Sequence, residues 1–165
     1  CIAVDPWFLV ELCGDTAQII HLARKTNDSM PSYTAQKTQS ILNKAGIAGA
    51  TVAVLGLAFK GNIDDMRESP STIVIDELQK LGLNVISFDP HIKENKHATQ
   101  TQSLQEATAN ADIILVLTDH NEFKTIDVSK IQSKNKFVFD AKNCLVRDAW
   151  ELAGFEFHLL GDAKY

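Results

Sequence analysis

Thr51-Val52-Ala53-Val54-Leu55-Gly56 is a short, valine-rich apolar run that stops at a glycine. Leu57-Ala58-Phe59-Lys60-Gly61-Asn62-Ile63-Asp64-Asp65-Met66-Arg67-Glu68 follows, and Ser69-Pro70 closes the stretch. The apolar run reads as a buried strand. Ser69-Pro70 reads as a helix start, with serine as N-cap and proline at the first helical position. Val74, Leu78 and Leu81 then recur at spacings of four and three, and Gly82 ends the helix. Strand, long polar loop and helix in that order make the first half of a βαβ unit.

The pattern repeats downstream. Val85–Phe88 reads as a strand ending at Asp89-Pro90, 104–109 as a short helix, and 113–117 as a fully apolar central strand. A helical turn is expected around 122–131, a strand at 137–139 ending at Asp140, a helix at 147–152 and a last strand at 155–159. Alternating short strands and helices predict an α/β fold: a Rossmann-like, doubly wound parallel sheet. Ligands of such sheets sit beyond the carboxyl ends of the strands. That places interest on the loops after Leu55, Phe88, Leu117 and Phe139.

Upstream the signals are helical. Asp5-Pro6 resembles an N-cap and first turn, and Gly14-Asp15 ends that helix and can cap the next. Ile19, Ile20, Leu22, Ala23 and Met30 make a helical stripe. Pro31 is expected to break or kink it. Ile41, Leu42 and Ala45 resume the stripe before Gly46 and Gly49. The expected division is a helical segment over 1–46 and a sheet domain over 47–165.

Composition narrows the class. Of the 165 residues, 45% are hydrophobic and 22% charged, enough to form a core without metal or disulfide. The net charge of −5 argues against a nucleic-acid partner. No apolar run reaches membrane-spanning length, and no leader signal opens the chain. Cys1, Cys13 and Cys144 are too few and too scattered for a disulfide scaffold or a structural metal site. A reducing, cytoplasmic setting is expected. The chain opens on Cys1 rather than Met, and is read as a piece of a longer protein.

On spacing alone the chemistry stays open. The loop after Leu55 is neither GxGxxG nor a Walker A sequence. Lys60 offers an ammonium and Arg67 a planar fork for phosphate. Asp64, Asp65, Arg67 and Glu68 read first as surface ion pairs. Cys1 and Asp5 share a face if their turn is helical; otherwise Cys1 is a small buried apolar residue and Asp5 a cap. Lys142 reads as a ligand contact or a solvated loop lysine, Asp89 as a cap or turn residue, and His120 as a structural residue at least as readily as an acid–base group.

Taken together, several segments resemble the UDP-glucose/GDP-mannose dehydrogenase family. Cys1-Ile2-Ala3-Val4-Asp5-Pro6-Trp7-Phe8 resembles its cysteine motif, and 23–31 the start of its central helix. Residues 56–70 resemble its UDP-binding loop, and 117–124 and 139–143 follow in the family's order. The resemblance covers essentially the whole chain. It implies a UDP-binding Rossmann-like domain preceded by a helical dimerisation segment. It also implies an NAD-dependent enzyme that oxidises a sugar C6 alcohol to a carboxylate in two steps.

Cys1 would attack the C6 aldehyde, with Asp5 as helper carboxylate. Phe59, Lys60 and Lys142 would contact the UDP-sugar, although many relatives carry Arg at the last position. Arg67 would reach NAD, within its own subunit or across a subunit boundary. Asp5-Pro6-Trp7-Phe8 and Asp119-His120-Asn121-Glu122-Phe123 point within the family to UDP-N-acetyl-D-mannosamine as substrate, with UDP-N-acetylglucosamine or UDP-glucose as alternatives. The NAD-binding domain of the family lies upstream of the cysteine, so this chain alone is expected to be inactive and to dimerise. A nucleotide-binding or oligomerisation module without catalysis is the reading from another class.

Overall fold

The computed structural model describes residues 3–93 and 97–162. Five strands form one parallel sheet in the order β2-β1-β3-β4-β5: β1 Thr51–Leu55, β2 Asn84–Phe88, β3 Ile113–Val116, β4 Phe137–Asp140 and β5 Glu156–Leu159. β3 is buried at every position and β1 at all but its first. Central parallel strands are covered on both faces, which is why these two read as continuous apolar runs. The order reverses between β1 and β3, so the chain leaves the two strands in opposite directions and opens a crevice at their carboxyl ends.

Two apolar layers flank the sheet. Val52, Val54, Leu115 and Phe139 pack on α3 (Pro70–Lys80) and on the second half of α2 (Gln18–Lys44) through Ala35, Ile41, Leu42, Val74, Ile75 and Leu78. On the other face Ala53, Leu55, Ile114, Val116, Val138 and Phe157 meet Ala107 of α4 (Leu104–Thr108), Phe123 of α5 (Asn121–Lys124) and Trp150 of α6 (Arg147–Leu152). Each such buried aliphatic or aromatic side chain contributes about 1.5–3 kcal/mol relative to exposure. The helical segment therefore does not stand apart from the sheet: Ala35, Ile41 and Leu42 belong to the same core as β1.

Side-chain caps open two of the described α-helices. Ser69 caps α3 by accepting from the Ser71 N–H, and Ser103 caps α4 by accepting from the Glu106 N–H. Two cap expectations fail, and α2 does not break at its proline. Asp5 is the first residue of α1 (Asp5–Cys13) rather than its cap; Val4 holds that position without a side-chain bond. Asp15 lies in a 3-10 turn over Gly14–Ala17 and caps nothing; Ala17 precedes α2. Pro31 sits inside α2 without ending it. The ring removes one ladder bond, to the Asn27 carbonyl, but Pro31 is buried and the following Ala35, Thr38 and Leu42 bury too. Tertiary packing outweighs the local penalty. The helical turn expected over 122–131 resolves into α5 and a separate 3-10 turn, Val128–Lys130.

α1 buries none of its residues, and Phe8, Leu12, Ile19 and Leu22 are exposed along it and the start of α2. No helix among the described residues is long and apolar enough to cross a membrane.

Candidate functional site

The β1 and β3 chains cross closely where they leave the sheet. Gly56 has φ +97°, and a Cβ there would lie 2.4 Å from Cβ of Thr118 and 2.8 Å from its backbone nitrogen. Only glycine tolerates both the left-handed backbone and the contact. Thr118 Oγ1 donates to the Ala58 carbonyl at 2.9 Å, fastening the crossing.

Beneath it lies the carboxylate of Asp89, 3% exposed, at the end of β2. Its Oδ2 accepts from Leu57 N–H at 2.7 Å, Ala58 N–H at 2.9 Å and the His120 ring at 3.0 Å. Its Oδ1 accepts from His91 N–H at 2.8 Å and Ile92 N–H at 3.2 Å. Burial pushes this carboxyl up, but the His120 bond and the Leu57, Ala58 and His91 N–H groups outweigh it and hold it at about 2. The first two N–H groups after Gly56, in the loop where a Rossmann fold holds a pyrophosphate, are thus filled by the protein's own carboxylate. Asp89 is a turn residue, one of the two roles that the missing glycine fingerprint favoured, and it braces the first loop as well.

His120 is fully buried. Its Nδ1 accepts from Asn62 N–H at 2.9 Å, and Asn62 Oδ1 accepts from Asn121 N–H at 2.9 Å. Its ring stacks on His91 with centroids 4.7 Å apart. His91, His120 and Glu122 lie close enough to suggest a cation site. Both His120 nitrogens are already engaged, however, so the trio lacks one of its ligands.

After β4, buried Asp140 shapes the next loop by accepting from the N–H groups of Lys142, Cys144 and Leu145, each at 2.8 Å. Asn143 takes a left-handed conformation there, and the Lys142 side chain is left exposed. Burial first, then the charges of Asp140 and Asp119, push the Cys144 thiol up to about 12.

These loops meet α2 and the N-terminal turn around a cleft of about 540 Å³. Phe59, Leu117, Ala141, Lys142 and Leu160 line it from the strand ends, Pro70 and Val74 from α3, Ala3 and Val4 from the turn before α1, and Trp7 from α1 itself. The structure thus brings Phe59 and Lys142 together with the residues just after Cys1. Cys1 itself lies outside the described residues, and because α1 begins at Asp5 the described part of the Cys1–Asp5 interval is not helical. Asp5 and Lys60 are exposed and stand outside the cleft lining. Arg67 is also outside it, its side chain 87% exposed and held in a fork by Asp65, with Nε at 2.9 Å from Oδ1. That is the ion pair that spacing alone suggested.

Arg24 was not among the expected site residues, yet it lines the cleft with Asn27 and Asp28. Its guanidinium pairs with Asp28 and donates to Asn27 Oδ1 at 3.2 Å, and its Nε is buried without a partner. The signal was present as Arg24, Asn27 and Asp28 at helical spacings of three and four.

A five-stranded doubly wound sheet with a polar-rimmed cleft at its switch-point end defines a ligand-binding α/β domain. The chain belongs to the UDP-glucose/GDP-mannose dehydrogenase family, whose UDP binding domain matches residues 53–147. It is 43% identical over its whole length to the UDP-N-acetyl-D-mannosamine dehydrogenase of Methanococcus maripaludis, of which it spans 39%. The chain thus covers about two fifths of the length of such relatives. Its fold superimposes on the UDP-D-ManNAc dehydrogenase of Pyrococcus horikoshii with a TM-score of 0.82 and 30% identity, over 98% of this chain and 38% of that one. It also matches the NDP-N-acetyl-D-galactosaminuronic acid dehydrogenase of Methanosarcina mazei, with a TM-score of 0.79 and 32% identity, over 87% and 31%.

Proposed function

We propose that this chain is the UDP-sugar-binding part of an NAD-dependent 6-dehydrogenase that converts UDP-N-acetyl-D-mannosamine to the uronate. The observation that carries the reading is the shared cleft: Phe59 and Lys142, from two strand ends, face Ala3, Val4 and Trp7 across one cavity. A UDP-sugar gripped there by its nucleotide would present its sugar toward the segment that begins with Cys1. The relatives named for UDP-N-acetyl-D-mannosamine, at up to 43% identity, favour that substrate over the glucosamine epimer and UDP-glucose.

In this reading Phe59 covers the uridine or sugar with an apolar face, and Lys142 and Arg24 supply positive charge to the diphosphate. Lys60 reaches in from the rim. Cys1 acts as the nucleophile toward the C6 aldehyde, holding the intermediate covalently, and Asp5 places the attacking water or a lysine. The dinucleotide itself finds no cradle among the described residues. The loop after β1 lacks the glycine fingerprint, and its Leu57 and Ala58 N–H groups are spent on Asp89. NAD would be held by a part of the protein outside this chain, with Arg67 as a contact from this side. Residues 1–46 serve dimerisation through the exposed Ile19 and Ala23, and 47–165 hold the nucleotide; a cytoplasmic location follows from the substrate.

The experiment is calorimetry of UDP and UDP-sugars with the chain, followed by turnover of the full-length protein on both hexosamine epimers. Binding of UDP by the chain, with oxidation of the manno epimer by the full protein, is the expected outcome. No heat at millimolar UDP would overturn the reading.

A further inference from the structure

We propose that His120 is a positioning residue for the nucleotide-gripping turn at Phe59-Lys60, acting as a single fixed tautomer. The proposal rests on the reading of the 56–70 loop as the grip on UDP. His120 Nδ1 accepts from the Asn62 N–H at 2.9 Å, so Nδ1 carries no proton. The ring proton therefore sits on Nε2, which donates to Asp89 Oδ2 at 3.0 Å.

That same oxygen accepts from Leu57 and Ala58 N–H. One carboxylate–imidazole relay therefore holds the loop at its root, through Leu57 and Ala58, and again beyond the turn, through Asn62. Phe59 and Lys60 lie between the two points of attachment. The ring cannot swing: His91 stacks on it and Phe123 meets it edge-on with centroids 5.4 Å apart. Asn62 accepts a left-handed backbone, φ 63°, to present its N–H to the ring, and its side chain ties the loop to Asn121 as well.

None of Asp89, His120 and Asn62 lines the cleft. Their effect on a ligand can only be exerted through the placement of the turn. Buried polar relays of this kind are strong when every member is satisfied, as here.

The test separates the two bonds of the ring. His120→Gln places an amide N–H near the position of Nε2 and loses the acceptor for Asn62. His120→Asn places a carbonyl near the position of Nδ1 and keeps that acceptor. UDP dissociation constants of the 165-residue chain are measured for both, with amide exchange at Asn62 followed by NMR. His120→Gln is expected to weaken UDP binding about tenfold, the effect of one lost hydrogen bond, while His120→Asn stays within about threefold. Equal affinity in His120→Gln and the unsubstituted chain would overturn the proposal, as would equal losses in both variants.

A second measurement needs no substitution. Saturating UDP should slow Asn62 exchange about tenfold in the unsubstituted chain, because ordering the turn closes the relay. Unchanged Asn62 exchange in a chain that binds UDP would sink the positioning role alone. Failure of the unsubstituted chain to bind UDP, with Asn62 still protected, would instead sink the reading of the loop as the grip, and the positioning role with it.

Discussion

Replacing Asp89 by Asn tests how the switch-point loops are held. The carboxylate accepts five hydrogen bonds, three on Oδ2 and two on Oδ1. Asparagine has one oxygen, so whichever way the amide faces, its NH₂ points at N–H donors. The less costly flip keeps the three bonds on the Leu57, Ala58 and His120 side and forfeits the two to His91 and Ile92. Buried hydrogen bonds to a charged group contribute about 1.5–3 kcal/mol each, so the loss is about 3–6 kcal/mol. That is a large share of the roughly 5–15 kcal/mol that holds a domain together, and corresponds to a fall in Tm of at least about 6 °C.

Acid supplies the second arm of the test. The folded carboxyl, at about 2, lies below its ordinary value of 3.8. Its contribution, about 2 kcal/mol, is therefore present above about pH 4 and is lost as pH falls through about 2. The stability gap between wild type and Asp89→Asn should narrow over that window. Urea unfolding followed by circular dichroism at pH 7 and at pH 2.5 measures both. A loss under about 1 kcal/mol at pH 7, or a gap that widens in acid, would refute the claim that this carboxylate braces the loops.

Other consequences are local. Gly56→Ala should cost about 3 kcal/mol in urea unfolding, from left-handed strain and the 2.4 Å contact with Thr118. Lys142→Ala and Phe59→Ala should each weaken UDP binding about tenfold or more in calorimetry, with Tm little changed, because both line the cleft. At pH 8 iodoacetamide should label exposed Cys13 and leave Cys144 unmodified by mass spectrometry, since burial and two carboxylates keep that thiol protonated.

The sheet was legible because its central strands are apolar at nearly every position and bounded by glycine or aspartate, as Thr51–Leu55 and Ile113–Val116 show. The Ser69-Pro70 start of α3 was legible for the same local reason. Pro31 does not end α2 because burial of the next three turns on the sheet offsets the lost ladder bond. Asp5-Pro6 was displaced by one position, as helix ends often are. The site was half legible. Phe59 and Lys142, expected from family resemblance as much as from strand-end position, both line the cleft. Arg24 was passed over because a helical Arg with acidic and amide neighbours looks like an ordinary surface pair. The Asp89–His120–Asn62 relay joins residues 58 positions apart, and no periodicity of the chain encodes such a contact.

The most direct test of the central claim is an NMR titration of the isotopically labelled chain with UDP. The account predicts that the amide signals moving first and furthest belong to Ala3, Val4, Phe59, Lys60 and Lys142. Shifts confined to the opposite end of the strands, around Lys37, Lys44 and His158, would contradict it.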